Sequence, residues 1–199
     1  MGWKQKASSG GGNFEACPAG NHAAVLIAII DLGTQEDSYQ GVERTSRKVF
    51  LCWEIPGEQT AAGRSHVIGR EYTLSFNEKA GLRKLIEAWR GKSFTEGEEF
   101  DLSALLGKPC MLTVVTEDKN GKTYAKINGV SSMPKGMPVP TATLGKISFS
   151  LEEDDRAKFP DADWLPWSYG SKLIDIAKKS PEWNEQPVGA SAQADEAPF

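Results

Sequence analysis

The chain has 199 residues, 39 % hydrophobic and 25 % charged, an ordinary globular balance with room for one cored domain and further segments. Its longest apolar run, residues 23–30, is too short to cross a bilayer; the first residues lack the apolar core of a secretory signal, and three cysteines without framework spacing fit free thiols in a reducing cytoplasm. The net charge of −4 is unevenly spread: residues 1–140 hold 17 Lys/Arg against 16 Asp/Glu, residues 141–199 hold 6 against 11, so the first part is free to present a basic face.

Residues 1–13, with Ser8-Ser9-Gly10-Gly11-Gly12, read as a flexible, mildly basic arm. A domain over residues 14–133 opens at the turn chemistry of Cys17-Pro18-Ala19-Gly20. Strands are expected at 22–32, 47–55 and 66–76, with a polar, mobile loop over 33–46 and another loop over 58–64. A helix follows, N-capped by Asn77, with Leu82, Leu85, Ile86 and Trp89 on one face and Gly91 at its end. Residues 101–107 form a short helical turn. Asn120-Gly121 between two β-rich runs, 110–117 and 122–130, is a strong hairpin signal. Three strands, a helix and two strands is the order of a five-stranded Greek-key OB-type barrel with a helix between strands 3 and 4, so the fold is expected to be mainly β.

Residues 134–183 read as a Pro/Gly linker, Pro134 to Pro140, and a short helical extension. Ser150 and Glu153 could box the start of an acidic helix, and residues 167–179 form a second short helix with Leu173, Ile174 and Ala177 apolar. Residues 184–199 are poor in large apolar side chains and are expected to be a disordered acidic tail.

Strand alternation separates the faces. Val49, Leu51 and Trp53 point one way and Lys48, Phe50 and Cys52 the other; Thr123, Ala125 and Ile127 oppose Lys122, Tyr124 and Lys126. A tyrosine between two lysines on a solvent face suits stacking a base while pairing phosphates. The plainer reading is a solvated sheet face with tyrosine chosen for β-propensity. Phosphate-tracking candidates are Arg44, Arg47, Lys48, Arg70, Lys119, Lys122 and Lys126, with Phe50 and Tyr124 as stackers unless the barrel wraps so as to bury Phe50. Tyr72 and Trp89 are assigned to the core.

No catalytic constellation emerges. His22, His66 and the cysteines lack metal-ligand spacing, the run Glu152-Glu153-Asp154-Asp155 fits a solvated helix start better than a magnesium site, and there is no nucleophile elbow or phosphate loop. The chain is expected to be no enzyme and to use no metal or cofactor.

The last six residues, Ala194-Asp195-Glu196-Ala197-Pro198-Phe199, resemble the tail of bacterial single-stranded DNA-binding proteins, in which acids precede a terminal Pro-Phe. The resemblance implies that Asp195, Glu196, Pro198 and Phe199 engage partner proteins, the ring in an apolar pocket and the acids on a basic rim. Over about residues 14–183 the chain also resembles phage-encoded single-stranded DNA-binding proteins of the OB type, through Phe14-Glu15-Ala16-Cys17-Pro18-Ala19-Gly20, Gly69-Arg70, Leu106-Gly107-Lys108-Pro109-Cys110, Leu165-Pro166-Trp167 and Ser180-Pro181-Glu182-Trp183. What this implies is sequence-independent coating of single strands during phage DNA replication or recombination, in the cytoplasm of a bacterial host cell. The partners expected are single-stranded DNA and replication or recombination proteins bound through the tail, with a homo-oligomer left open and no membrane. An annealing or recombination mediator, an OB-type protein-interaction or virion component, and a metal-dependent nuclease are the competing readings.

Overall fold

The apolar run that opens the domain is the middle of a much longer strand. In the computed structural model, which describes residues 15–39, 41–168 and 170–185, β1 (Gly20–Tyr39) pairs antiparallel from Val25 onward with β2 (Val42–Gln59). Residues 33–46, expected as a loop, are the far end of this ribbon, which turns at Gly41 with φ +77°. Val42, Glu43, Arg44 and Thr45 are exposed. Beyond Gln35 the described side chains as far as Thr45 are exposed, so the sequence there carries no apolar period to read.

β3 (Ser65–Thr73) pairs with β2, β4 (Pro109–Lys119) with the first residues of β1, and β5 (Lys122–Ser131) with β4. The antiparallel order is β3-β2-β1-β4-β5. A sixth strand without any sequence signal, β6 (Ile147–Phe149), runs parallel to β1 along Ala28, Ile29 and Ile30, on the stretch beyond Val25 where β4 has ended. The molecule is therefore mainly β, with one six-stranded sheet and a few short helices. Among the described residues no helix is long and apolar enough to cross a membrane.

Between β3 and β4 lies α1 (Gly81–Arg90), which buries Leu82, Leu85, Ile86 and Trp89 and closes at Gly91 with φ +66°, the left-handed end glycine takes at no steric cost. Asn77 is not its cap. Ala80 precedes the helix, and Asn77 only accepts the Ala80 N–H at 2.8 Å in the turn before it. Asp101 caps the 3-10 turn Leu102–Leu105 by accepting the Ser103 N–H. Asn120 and Gly121, with φ +53° and +71°, make the two-residue turn between β4 and β5; positive φ at both central positions matches the twist of the flanking strands.

Two cores share β1 and β2. The first joins Leu26, Val49, Leu51 and Trp53 to Ile68, Tyr72, the buried face of α1, and Leu112, Val114, Ile127 and Val130. The second lies on the opposite face, where Ala28, Ile30, Leu32, Phe50 and Cys52 pack against Phe149, Leu151, Phe159, Leu173 and Ala177. Register shifts at Leu26/Ala28 and Asp31/Gly33 switch the alternation of β1 and allow one strand to serve both cores. The C-terminal extension is thus a wall of the fold.

Three carboxylates hold that wall. Glu54, fully buried, accepts the Thr143 N–H at 3.0 Å, its hydroxyl at 2.5 Å and the Leu144 N–H at 3.0 Å. Asp31 accepts the Gly33 and Leu151 N–H groups at 2.9 and 3.1 Å. Glu182 accepts the Thr34 N–H at 3.0 Å and its hydroxyl at 2.5 Å. Burial opposes the ionisation of Glu182, but the bonds from Thr34 outweigh it and lower its pKa.

Two helix expectations are corrected here. Residues 167–179 hold only α2 (Leu173–Ala177), because Ser168 and Ser171 exchange backbone hydrogen bonds at 3.0 and 2.9 Å and spend the first residues in a tight loop. Ser150 opens a turn and not an acidic helix, with Asp154, in place of Glu153, accepting the Ser150 N–H at 2.8 Å. After α2 comes α3 (Pro181–Asn184), whose last carbonyls accept from Arg156. The expected arm over 1–13, Phe14, and the tail with Asp195, Glu196, Pro198 and Phe199 lie outside the described residues.

Candidate nucleic-acid interface

On β5 the side chains of Ala125 and Ile127 turn into the first core, so alternation turns Lys122, Tyr124 and Lys126 outward. Across the ladder Lys122 faces Lys119, Tyr124 faces Glu117, and Lys126 faces Val115. Tyr124 is 43 % exposed and Val115 39 %. Lys126 forms an ion pair with Glu117, the residue across the ladder from Tyr124. Lys119 and Lys122 sit directly opposite one another and exposed, an arrangement that costs stability until an anion lies between them. The hairpin end is therefore an aromatic surface beside two like charges.

Arg70, on the same side of β3 as Ile68 and Tyr72, reaches across to β5. Its backbone is opposite Leu51 on β2, yet its exposed guanidinium donates to the Ile127 carbonyl on β5 at 3.0 Å and lies 5.2 Å from the Tyr72 ring centre. Burial pushes the Tyr72 phenol up to about 12 against the opposing pull of Arg70. Tyr72 and Trp89 are core residues, with the Trp89 indole N–H donating to Pro109 O at 2.9 Å.

No protein-family model and no curated protein matches the chain. The reading of the site rests on its own geometry.

On β2 the candidates divide. Arg44 is exposed on the ribbon, and Lys48 donates to the Thr73 hydroxyl on β3 at 3.1 Å. Arg47 is half-buried and committed to two carboxylates, Asp31 at 2.5 Å and Glu152; it supports the wall and leaves the phosphate track. Phe50 is a correction. Alternation does set it on the face opposite Val49 and Leu51, but that face is covered by the extension, and Phe50 is 1 % exposed. It cannot stack a base. The fold allows the ring in because Gly69 on β3, opposite Cys52 and diagonal to Phe50, leaves space that a Cβ would fill at 2.1 Å from Phe50 Cζ. Nothing in a strand pattern reveals that a segment one hundred residues later roofs the face.

Beside this roof is a carboxyl with a raised pKa. Burial lifts Glu71 on β3, while a hydrogen bond with Ser168 and the charge of Lys48 pull it down, and its Oε1 has no hydrogen-bond partner. Besides Tyr124, the exposed aromatic among the described residues is Trp167, at 63 %; the sequence places it in a helix, and only its unexpected loop leaves the ring outside. The remaining reactive groups are withdrawn. All three cysteines are buried and free, and burial, followed by Glu58, raises the Cys17 thiol to about 11. His22 contacts Glu58 at 3.3 Å and His66 lies 4.0 Å from Glu15. Among the described residues no three His, Cys, Asp or Glu side chains gather as around a metal.

Proposed function

We propose that this protein binds single-stranded DNA without sequence preference, with Tyr124 stacking a base and Lys119, Lys122, Lys126, Arg70, Lys48 and Arg44 following the phosphates. The observation that carries the reading is the end of the β4–β5 hairpin, where an exposed tyrosine lies next to directly opposed lysines. Stacking is indifferent to base identity, and paired cations gain most from a polyanion. The finer fold belongs to the same reading. The strand order, and the Arg70 bond that spans from β3 to β5, support a sheet curled into a five-stranded OB-type barrel. The acidic segment with Asp195, Glu196, Pro198 and Phe199 would bring replication or recombination proteins to the coated strand, in the cytoplasm of a bacterial host cell.

Fluorescence anisotropy with labelled oligo-dT, the matching duplex and an RNA oligomer tests this. The single strand binds most tightly, weakens with salt, and loses about 1–3 kcal/mol with Tyr124→Ala. Absence of binding to all three overturns the reading and leaves a protein-interaction module.

A further inference from the structure

We propose that Trp167, carried by the C-terminal extension and not by any strand of the sheet, is a second stacking platform for single-stranded nucleic acid. The inference rests on the binding function proposed above and locates a part of that site. The argument begins with the covered face. Phe50 and Cys52 on β2 lie under Phe149, Leu151 and Phe159, so a strand crossing these rings meets the outer surface of the extension. What that surface offers it is an indole.

Trp167 is held in place from both sides. Pro166 limits the backbone before it. After it, Ser168 is 6 % exposed and exchanges two backbone hydrogen bonds with Ser171. Pro166 before the ring and the Ser168–Ser171 pairing after it reduce the backbone freedom that is lost when a base settles on it. Its neighbours in the chain behave differently. Trp164 and Trp183 pack against the second core, whereas Trp167 keeps 63 % of its surface in water, which is unfavourable for so large an apolar ring in the isolated molecule.

A cation, Lys48, lies on the strands of this side. Lys48 Nζ is 3.1 Å from the Thr73 hydroxyl on β3, two residues along from Glu71, where burial raises the pKa and Ser168 and Lys48 both lower it. In this arrangement Trp167 takes the base and Lys48 its phosphate. The extension, in covering Phe50, supplies in Trp167 the stacking surface that the buried ring cannot.

The experiment compares wild type, Trp167→Ala, Trp167→Phe and Tyr124→Ala, all as full chains, for oligo-dT affinity across a salt series and for their urea unfolding midpoint. Trp167→Ala is expected to weaken binding about tenfold, the weight of one base–aromatic stack. The slope of log K against log salt stays that of wild type, because an indole displaces no counterion. Trp167→Phe recovers most of the affinity, and the unfolding midpoint does not move. If Tyr124→Ala weakens binding and Trp167→Ala does not, this inference fails while the binding function stands, and the ring is a protein contact. A loss of affinity that accompanies a lowered midpoint and is not rescued by phenylalanine also overturns it, as a structural effect. Wild type that binds no single strand ends both.

Discussion

Phe50 and Gly69 form a lock made of two residues. The ring fills the space over the glycine, and a methyl group there would meet Phe50 Cζ at 2.1 Å. Phe50→Ala removes a fully buried ring and is expected to cost about 3–5 kcal/mol; Gly69→Ala forces the ring aside at a cost of about 1–3 kcal/mol. Urea unfolding of both variants measures this, and a Phe50→Ala midpoint equal to wild type would show that the extension does not press on the sheet. Arg47 has a similar lesson. Its sequence position on a basic strand suggests phosphate contact, but with Asp31 and Glu152 on its guanidinium it has no charge to spare for a ligand.

At the scale of elements, the extension behaves as a third layer attached at Glu54, Asp31 and Glu182. A chain ending at residue 133 would leave Ala28, Ile30, Leu32, Phe50 and Cys52 uncovered, an apolar patch of the kind that aggregates. Such a truncation is expected to lose cooperative unfolding, whereas a domain joined to a mere tether would keep it. The attachment at Glu182 also titrates. Its folded pKa is depressed below the ordinary 4.5, so the stability it contributes is present above that value and is lost as pH falls through the folded one. Glu182→Gln should flatten stability against pH in that acidic window and leave the neutral range changed only by a constant; an unaltered acid limb would rule out this latch. Asn77, Ser150 and the 167–179 segment show why helix edges were poorly legible. Asn77 and Ser150 are capping residues of the right type, and there, as at the start of the 167–179 segment, a local turn takes the same backbone groups.

At the scale of the molecule, binding depends on how many cations one strand can meet. Lys119 and Lys122 are adjacent across the hairpin end. Replacing both with alanine is expected to reduce the magnitude of the salt slope for single strands by about 1.4, at roughly 0.7 per phosphate neutralised. A salt series that leaves the slope unchanged would move the interface away from this hairpin. The acidity of the last third has a use on this scale too. Glu152 and Glu182 are spent on holding the extension to β1 and β2, so negative sequence charge there is partly structural.

The sequence by itself determined what local chemistry can decide: the mainly β class, the apolar faces of β1 and β2, the helical stripe of Leu82, Leu85, Ile86 and Trp89, and the Asn-Gly turn that sets the register and presents Tyr124. Each depends on neighbours a few residues apart, whose period or backbone preference is written in order along the chain. Only the tertiary structure decided that Phe50 is covered, that Arg47 is neutralised, that residues 33–46 continue a ribbon, and that Trp167 stays outside. The cover on Phe50 and the Glu152 partner of Arg47 come from about a hundred residues away, while the ribbon and the Trp167 loop are set by backbone pairing that carries no apolar period. Burial is a property of what arrives on a face, and a strand's alternation specifies the face without naming its cover.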